Sequence, residues 1–122
     1  MVERRLWIVD ISEAATVDIH DALRWSAERF GEAQAHTYEE TIFLALEALL
    51  AGPRTSGVRP LNELMPGLMS LHIARRRRKG RHVILFHLDP VTPDTIRVVR
   101  LLHDSMDFTR HLSAAADEPD GS

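Results

Sequence analysis

The sequence predicts a small α+β domain with the element order β-α-α-β-β-β, in which a helical hairpin packs on one face of an antiparallel sheet and a short C-terminal helix follows. Two observations predict it. Two consecutive amphipathic segments with helical spacing occupy the first half of the chain, and three strand-like segments joined by turns occupy the second half. A chain of 122 residues, 44% of them apolar, suffices for one packed core. We therefore assign residues 1–112 to a single domain.

The first two elements are a strand and a helix. Residues 5–11 are rich in β-branched and aromatic side chains, which favour a strand. Ser12 is a typical helix cap, and Gly31 is a typical stop. Between them, small or apolar residues recur every three or four positions, which predicts one buried helix face: Ala15, Ile19, Ala22, Leu23, Ser26, Ala27 and Phe30.

The second helix is more regular and ends at Gly52-Pro53, a typical stop signal. One stripe of its surface is apolar, while glutamates occupy the other positions. Two adjacent amphipathic helices form an antiparallel hairpin whose stripes need a further surface to cover them. The stripe comprises Ala35, Tyr38, Ile42, Ala45, Leu46 and Leu49.

The second half supplies that surface. Residues 68–73, 82–88 and 95–103 predict strands, and the turns between them are short enough for an antiparallel meander. The hairpin would then cover one face of the sheet and leave an open face that carries basic residues. Residues 106–112 predict the last helix. The acidic segment 113–122 has a composition typical of disorder.

Composition excludes several classes of protein. There are no cysteines, and the seven histidines lack the spacing of a metal site, so we expect neither a disulfide, a metal nor another cofactor. No apolar run is long enough to span a membrane, and the first residues do not resemble a secretory signal. A cytoplasmic location is the simplest expectation.

Charge is distributed unevenly. Residues 1–50 hold four arginines and ten acids, whereas residues 51–110 hold ten arginines, one lysine and five acids. A basic half attracts anionic partners. The run Arg75–Lys79 could contact nucleic acid or an acidic partner. However, such hairpin tips are more often simply solvated, and no aromatic residues interleave with the run to stack on bases.

Three C-terminal motifs indicate a family. They read R-H-V-I-x-F from Arg81, I-x-V-V-R-x-L-H from Ile96, and M-D-x-x-R-H-L from Met106. In order and spacing they resemble the RelE/ParE superfamily of toxins from type II toxin–antitoxin systems, and the ParE branch most. The element order over residues 5–112 agrees with the same superfamily.

The resemblance implies a growth-inhibiting protein held in a hetero-oligomer by a ParD-like antitoxin. ParE-like members are associated with poisoning DNA gyrase, whereas RelE-like members cleave mRNA on the ribosome. The two branches share a fold, so individual residues must distinguish them. A degenerate member that only binds antitoxin is a third reading.

The available side chains favour the gyrase reading and a protein without catalytic residues. RelE-like toxins use a tyrosine near the C-terminus, but the one tyrosine here is Tyr38, and Ser105 replaces an arginine that related sequences often carry. His103 and His111 can still titrate near neutral pH, so a nuclease remains the alternative.

Candidate contacts to the target follow from the motifs and from strand positions. Arg97 and Arg100 lie on opposite sides of one strand. Each could face an anionic partner or form an ion pair with an acid of the helical half, such as Glu39 or Asp18. Asp107 could pair with His103 or simply complement the dipole of the last helix. The candidates are Arg81, Arg97, Arg100, His103, Met106, Asp107 and Arg110.

Candidate contacts to the antitoxin lie where the hairpin meets the sheet edge. An apolar groove is expected there, with residues 68–73 as an exposed edge strand. The candidates are Trp25 and Phe30 on the first helix, and Met69 and Leu71 on that edge.

Overall fold

Two long helices and a five-stranded sheet make up most of residues 6–110 and 112, the part of the chain that the computed structural model describes. No helix in this part is long and apolar enough to cross a membrane. Residues 108–110 and 112 are helical, and the predicted tail 113–122 lies outside the described residues. The elements are β1 (Ile8–Ile11), α1 (Glu13–Phe30), α2 (Glu32–Ala48), a 3-10 turn (Leu49–Ala51), β2 (Arg59–Pro60), β3 (Met69–His72), β4 (His82–Leu88) and β5 (Thr95–His103).

The strand order in the sheet is β1-β5-β4-β3-β2. The predicted antiparallel meander of β3, β4 and β5 is confirmed. The sheet as a whole is mixed rather than antiparallel, because β1 pairs parallel to β5, with Ile8 opposite Thr95 and Ile11 opposite Val98. No short turn joins β1 to β5, so no local constraint in the sequence sets their relative direction.

The third strand is not the exposed edge that the sequence suggested. The two-residue strand β2 pairs with it, placing Arg59 opposite Ser70 and Pro60 opposite Met69. Proline lacks an N–H group and is confined to edge positions in sheets, which suits it to this outer strand. A very short strand containing proline is also a poor template for pairing with another chain.

The main core lies between the helical hairpin and the sheet. Ser12 caps α1 by accepting a hydrogen bond from the N–H of Ala15 at 3.0 Å, as predicted. Gly31 alone joins the two helices. The inward stripes of α1 and α2 then meet one face of β3, β4 and β5. The largest buried side chains of this core are Ile42, Leu49, Leu71, Ile73, Ile84, Phe86, Ile96 and Val98.

The opposite face of the sheet is covered too, so the expectation of an open basic face is wrong. Residues 82–86 are all buried, because β4 is apolar on both faces. The irregular segment 61–68 and the C-terminal helical turn provide the second cover. This smaller core contains Leu68, Val83, Leu85, Leu102 and Leu112, with Leu61, Leu64, Met65, Val99 and Phe108 packed against them.

A partly buried ion pair fastens α1 to the part of β5 that β1 does not reach. The carboxylate of Asp18 accepts hydrogen bonds from Nε and Nη2 of Arg100, at 2.7 and 2.9 Å. The same carboxylate accepts the backbone N–H of Leu101 at 3.0 Å. Asp18 therefore satisfies both a partly buried cation and a backbone donor of β5 beyond the end of β1.

Removing this carboxylate should destabilise the fold strongly. Asp18→Ala leaves the Arg100 guanidinium and the Leu101 N–H without their acceptor, so we expect a loss of about 3–5 kcal/mol in the free energy of unfolding, measured with urea. Asp21→Ala is the control, because Asp21 is exposed and lies 3.9 Å from an exposed Arg24. That change should cost less than about 1 kcal/mol. Equal losses of unfolding free energy in the two variants would contradict the structural role assigned to Asp18.

Gly52 offers a second test of packing. It has a φ of +101°, and a Cβ atom there would lie 2.7 Å from Nε1 of Trp7. Gly31 has a similar φ of +91° but open space around it. Both alanine variants should suffer backbone strain of about 1–3 kcal/mol, and Gly52→Ala should lose roughly a further 1–3 kcal/mol from the steric clash. Matching urea midpoints for the two variants would exclude the clash.

Candidate functional site

A cavity of about 800 Å³ opens between the helical hairpin and the β3–β4 connection. We call it the hairpin pocket. The C-terminal half of α1, the first half of α2 and residues 74–81 surround it. Its lining is mainly aromatic and cationic, and no acidic side chain belongs to it. It consists of Trp25, Ser26, Phe30, Gln34, Thr37, Tyr38, Thr41, Ala74, Arg77, Arg78, Lys79, Gly80 and Arg81.

Aromatic rings from both helices line one side of the hairpin pocket. Trp25 packs edge-on against Phe30, with ring centroids 6.0 Å apart. The Tyr38 ring lies 5.9 Å from Trp25 on the other side. Phe30 is 60% exposed, although helical spacing places it on the inward stripe of α1. It lies at the last turn of the helix, beyond the sheet, and this position leaves it at the mouth of the pocket.

Two arginines of the basic run hold the β3–β4 connection in place. Arg78 donates from Nε to Oγ1 of Thr41 at 2.8 Å and from Nη2 to the carbonyl of Thr37 at 3.2 Å. It also pairs with Glu40 at 3.1 Å. Arg75 donates to the carbonyl of Ser56. These two residues tie the connection to α2 and to the neighbouring loop.

The tip of the connection is a tight turn built from residues that rarely adopt its geometry. The N–H of Arg78 donates to the carbonyl of Arg75 at 2.9 Å. The two central residues, Arg76 and Arg77, have φ values of +49° and +69°. These are features of a type I′ turn, where asparagine and glycine are normally favoured. Arginine at both positions adds strain to the turn.

An imidazole cluster adjoins the hairpin pocket. Tyr38 accepts the backbone N–H of Arg81 at 2.9 Å, and its hydroxyl lies 2.5 Å from Nδ1 of His82. We assign the phenol O–H as the donor, with the neutral imidazole accepting at an unprotonated Nδ1. The His82 ring packs edge-on against Trp25 and against His103, at 5.5 and 5.3 Å between centroids. Both helices, β4 and β5 therefore meet through contacts between aromatic rings.

Asp104, the residue that follows β5, binds two neighbouring polar side chains. His72 donates from Nε2 to one of its carboxylate oxygens at 3.0 Å, because the other ring nitrogen accepts the N–H of Ala74. The Arg81 guanidinium lies 3.2 Å from the second oxygen. The hydrogen bond from His72, together with the charge of Arg81, holds the pKa of Asp104 below its ordinary value.

Burial shifts the pKa values of two members of the cluster, His82 and Tyr38. Desolvation, together with the neighbouring His103, lowers the pKa of His82 to about 4, so this imidazole is neutral at physiological pH. Burial also raises the pKa of Tyr38. His103 accepts hydrogen bonds at Nδ1 from the N–H and the hydroxyl of Ser105, at 3.2 and 2.7 Å. Tyr38 and His82 are thus hydrogen-bonded to each other, whereas His103 is hydrogen-bonded to Ser105.

The structure separates the predicted target contacts into two groups. Arg81 and His103 meet at the Asp104 end of the molecule, and Met106, Asp107 and Arg110 follow His103 directly along the chain. Met106 is 43% exposed. Asp107 accepts the N–H of Arg110 at 3.4 Å, so it caps the C-terminal helical turn. This agrees with the alternative in which Asp107 stabilises the start of the last helix and does not pair with His103.

Arg97 and Arg100 are engaged in ion pairs. Arg100 makes the partly buried pair with Asp18, which is the structural alternative that the sequence left open. Arg97 lies 3.0 Å from Asp10 and 3.5 Å from Asp89. Strand positions alone cannot reveal such partners, because the acids come from β1, α1 and a turn.

The predicted antitoxin contacts are only partly placed at a common surface. Trp25 and Phe30 line the hairpin pocket. Leu71 is 1% exposed and belongs to the main core, so its prediction as a surface contact is wrong. Met69 is half-buried and packs against the same core. Both lie on β3, which the sequence treated as an edge and which β2 covers.

Sequence reasoning missed Tyr38, Arg78 and Asp104 as parts of this site. Tyr38 lies on the apolar stripe of α2, so its spacing indicated a core residue. Asp104 follows a strand and reads as a helix cap. In the described residues no group of three or more His, Asp or Glu side chains is arranged to hold a metal ion.

A solved structure shares this architecture. The chain is similar to one titled "Chromosomal ParDE TA system from P. aeruginosa", with a TM-score of 0.64 and 16% sequence identity. The similarity covers 81% of this chain and 97% of the other. The predicted α+β fold with a helical hairpin on a sheet is therefore confirmed, and the matched structure shares it.

The family follows from the sequence match. Residues 9–108 match the family model described as "ParE toxin of type II toxin-antitoxin system, parDE". The chain belongs to the ParE toxin family. It is also 29% identical over 102 residues to Toxin ParE1 of Mycobacterium tuberculosis, in the strains CDC 1551 / Oshkosh and ATCC 25618 / H37Rv. That match covers 84% of this chain and 94% of the relative. The predicted resemblance is confirmed.

The buried imidazole predicts a pH dependence of stability. His82 has a folded-state pKa of about 4, below the value of about 6.5 for an unfolded chain. The unfolded state therefore binds more protons as the pH falls, and stability decreases between pH 6.5 and pH 4. The free energy of unfolding should fall by about 2–3 kcal/mol over this range, measured by urea unfolding at each pH.

His82→Gln provides the comparison for that experiment, because glutamine keeps a polar partner for Tyr38 but does not titrate. Carboxylates titrate in both proteins, so the difference between the two curves isolates His82. The variant should show a flatter profile between pH 6.5 and pH 4. Parallel curves would mean that His82 does not carry the effect.

Proposed function

We propose that this toxin inhibits growth by binding DNA gyrase in the cytoplasm, without catalysing a reaction, and that a ParD-like antitoxin neutralises it in a hetero-oligomer. Membership of the ParE family over residues 9–108 is the observation that carries the proposal. Fold alone does not specify a target, so surface and site chemistry supply the remaining support.

The state of the imidazole cluster supports action by binding. A general base needs an accessible nitrogen that can take up a proton near neutral pH. His82 is only 6% exposed, its Nδ1 accepts from Tyr38, and its pKa of about 4 disfavours proton uptake at pH 7. His103 uses Nδ1 to hold Ser105. These rings serve to join the hairpin to the sheet.

The surface proposed to meet gyrase is the end of the molecule after β5. Arg81 and Met106 are well exposed there, and Arg110 extends from the C-terminal helical turn. An exposed apolar side chain among arginines is typical of a protein-binding surface, since arginine and methionine are both enriched at interfaces. Asp107 supports this surface by capping the turn.

A ribonuclease is the second candidate, and one arrangement favours it. Tyr38, His82 and His103 are types of side chain that can move protons, and they lie within one cluster beside Arg81. Cleavage of RNA would need one of these groups to reach a 2′-hydroxyl, and Arg81 to stabilise the phosphate. The hydrogen bond between Tyr38 and His82, and the one that engages Nδ1 of His103 with Ser105, make this candidate the weaker one.

The target can be identified with purified gyrase and a matched pair of variants. The wild-type toxin should inhibit supercoiling of plasmid DNA. Arg110→Glu should raise the concentration for half-inhibition by about tenfold, because it places a like charge in the contact surface. Arg54→Glu, an equal charge change at an exposed position outside that surface, should leave it within about twofold.

Induced expression separates the candidates in cells. Broken DNA with intact messages supports gyrase as the target. Cleaved ribosome-bound messages that disappear in His103→Ala would overturn the proposal in favour of the nuclease, and normal growth with soluble toxin would indicate an inactive member.

A further inference from the structure

We propose that the basic turn between β3 and β4, residues 75–79, binds the phosphate backbone of duplex DNA, and that this contact strengthens the binding of the toxin to gyrase that holds DNA. Arg76, Arg77 and Lys79 supply the contacts. The second part of the inference rests on the proposed function, since it assumes gyrase as the target. The inference also gives a role to a charged run that the proposed function leaves unused.

Three cations of the basic turn are exposed, and their side chains form no ion pair or hydrogen bond with another described residue. They are Arg76, Arg77 and Lys79. Two glutamates of α2 lie near the turn. Glu40 pairs with Arg78 at 3.1 Å, and Glu47 lines a cavity with Arg76 but forms no ion pair with it. The positive charge of the three cations is therefore available to an external anion.

The base of the basic turn is fixed by hydrogen bonds. Arg78 donates to the hydroxyl of Thr41 and to the carbonyl of Thr37, and Arg75 donates to the carbonyl of Ser56. The N–H of Arg78 closes the turn on the carbonyl of Arg75 at 2.9 Å. The three free cations thus project from a loop that is already ordered, so less conformational entropy is lost when an anion binds.

The backbone of the basic turn is strained at two of the free cations. Arg76 and Arg77 have φ values of +49° and +69°, in the left-handed region. Asparagine and glycine adopt these angles at lower cost and are favoured at both positions of such a turn. Two arginines there indicate that the tip serves a purpose other than folding, because strain held in place by its surroundings is typical of functional sites.

The side chains of the basic turn suit phosphate better than other anionic partners. Between Ala74 and Gly80 every residue is arginine or lysine. Protein interfaces usually combine arginine with aromatic side chains and are depleted in lysine. Single-stranded nucleic acid needs aromatic rings on which bases stack. Contacts from arginine and lysine to backbone phosphates need neither feature and carry no sequence information, so the turn suits sequence-independent contact with a duplex.

The basic turn and the proposed gyrase surface lie at the same end of the sheet. β3 leaves the sheet at this end and β4 enters it, and His82 at the start of β4 pairs with His103 at the end of β5. Arg81 belongs to the proposed gyrase surface and follows Arg77 by four residues, a chain length of at most about 14 Å. One partner that holds DNA could therefore contact both surfaces.

Binding to free DNA tests the basic turn without gyrase. Purified toxin is titrated into a fluorescent duplex of about 30 base pairs at several salt concentrations, and fluorescence anisotropy gives the association constant. Three phosphate contacts predict that its logarithm falls with the logarithm of the salt concentration with a slope of about −2.7. The Asn-Gly turn variant, Arg76→Asn with Arg77→Gly, keeps only the Lys79 contact and should show a slope of about −0.9.

The same variant separates charge from structure. Asn-Gly is the residue pair that this turn favours, so the Asn-Gly turn variant should melt at or above the wild-type temperature while it loses DNA binding. Arg76→Lys with Arg77→Lys keeps both charges and should retain the wild-type slope. Arg54→Gln with Arg59→Gln removes two exposed charges elsewhere and should leave the affinity for the duplex within about twofold of the wild type.

Purified gyrase supplies the second measurement. Wild-type toxin should bind gyrase that holds DNA about tenfold more tightly than gyrase without DNA, because the basic turn then adds its phosphate contacts. The Asn-Gly turn variant should bind the two forms equally. It should also match the wild type on gyrase without DNA, since the surface around Arg110 is unchanged.

Failure of this inference and failure of the proposed function give different results. Toxin that binds gyrase without DNA but does not bind the free duplex would overturn the DNA contact and leave the proposed function standing, and so would an unchanged salt slope in the Asn-Gly turn variant. Toxin that binds the duplex but not gyrase would support the DNA contact and overturn the proposed target. Tighter binding of duplex RNA or of polyglutamate than of the DNA duplex would overturn the assignment of DNA as the ligand.

Discussion

The two central strands are apolar on both faces, and this constraint organises the whole molecule. Residues 82–86 are buried without interruption, and β5 contributes side chains to both cores. A sheet of this kind must be covered twice. The helical hairpin forms one cover, while segment 61–68 and the C-terminal helical turn form the other. The surfaces that remain available to partners are the ends of the strands, the basic β3–β4 connection and the last turn of α1.

Polar groups that the two covers bury are satisfied by partners distant in sequence. Asp18 accepts from Arg100 and from the N–H of Leu101, and Tyr38 links the Arg81 backbone to His82. No buried side-chain nitrogen or oxygen in residues 6–110 and 112 lacks a hydrogen-bond partner. Because an unpaired buried polar group is costly, these contacts fix how the helices sit on the sheet.

Parts of the candidate site were accessible to sequence reasoning, and the reason differs from residue to residue. Trp25 and Phe30 were predicted as surface contacts because an apolar groove was expected where the hairpin meets the sheet edge, and both line the hairpin pocket. The basic run was identified by its charge, but not its place beside aromatic rings, since those rings come from helices about 40 to 50 positions away. Leu71 was misassigned because its side chain packs into the main core beneath the helices, whatever strand lies at the edge of the sheet. The outer strand β2 was missed because it has two residues and no recognisable pattern.

Local sequence pattern determined the helices, the strands β3, β4 and β5, and the family. Helix periodicity, the cap at Ser12 and the stops at Gly31 and Gly52 depend on near neighbours in the chain, and so do the C-terminal motifs. Tertiary structure decided the parallel pairing of β1 with β5, the second cover of the sheet and the assembly of the hairpin pocket. Each of these features depends on contacts between residues far apart in sequence. The same local pattern allows several arrangements of the elements, and loop geometry and the burial of apolar surface decide which one forms.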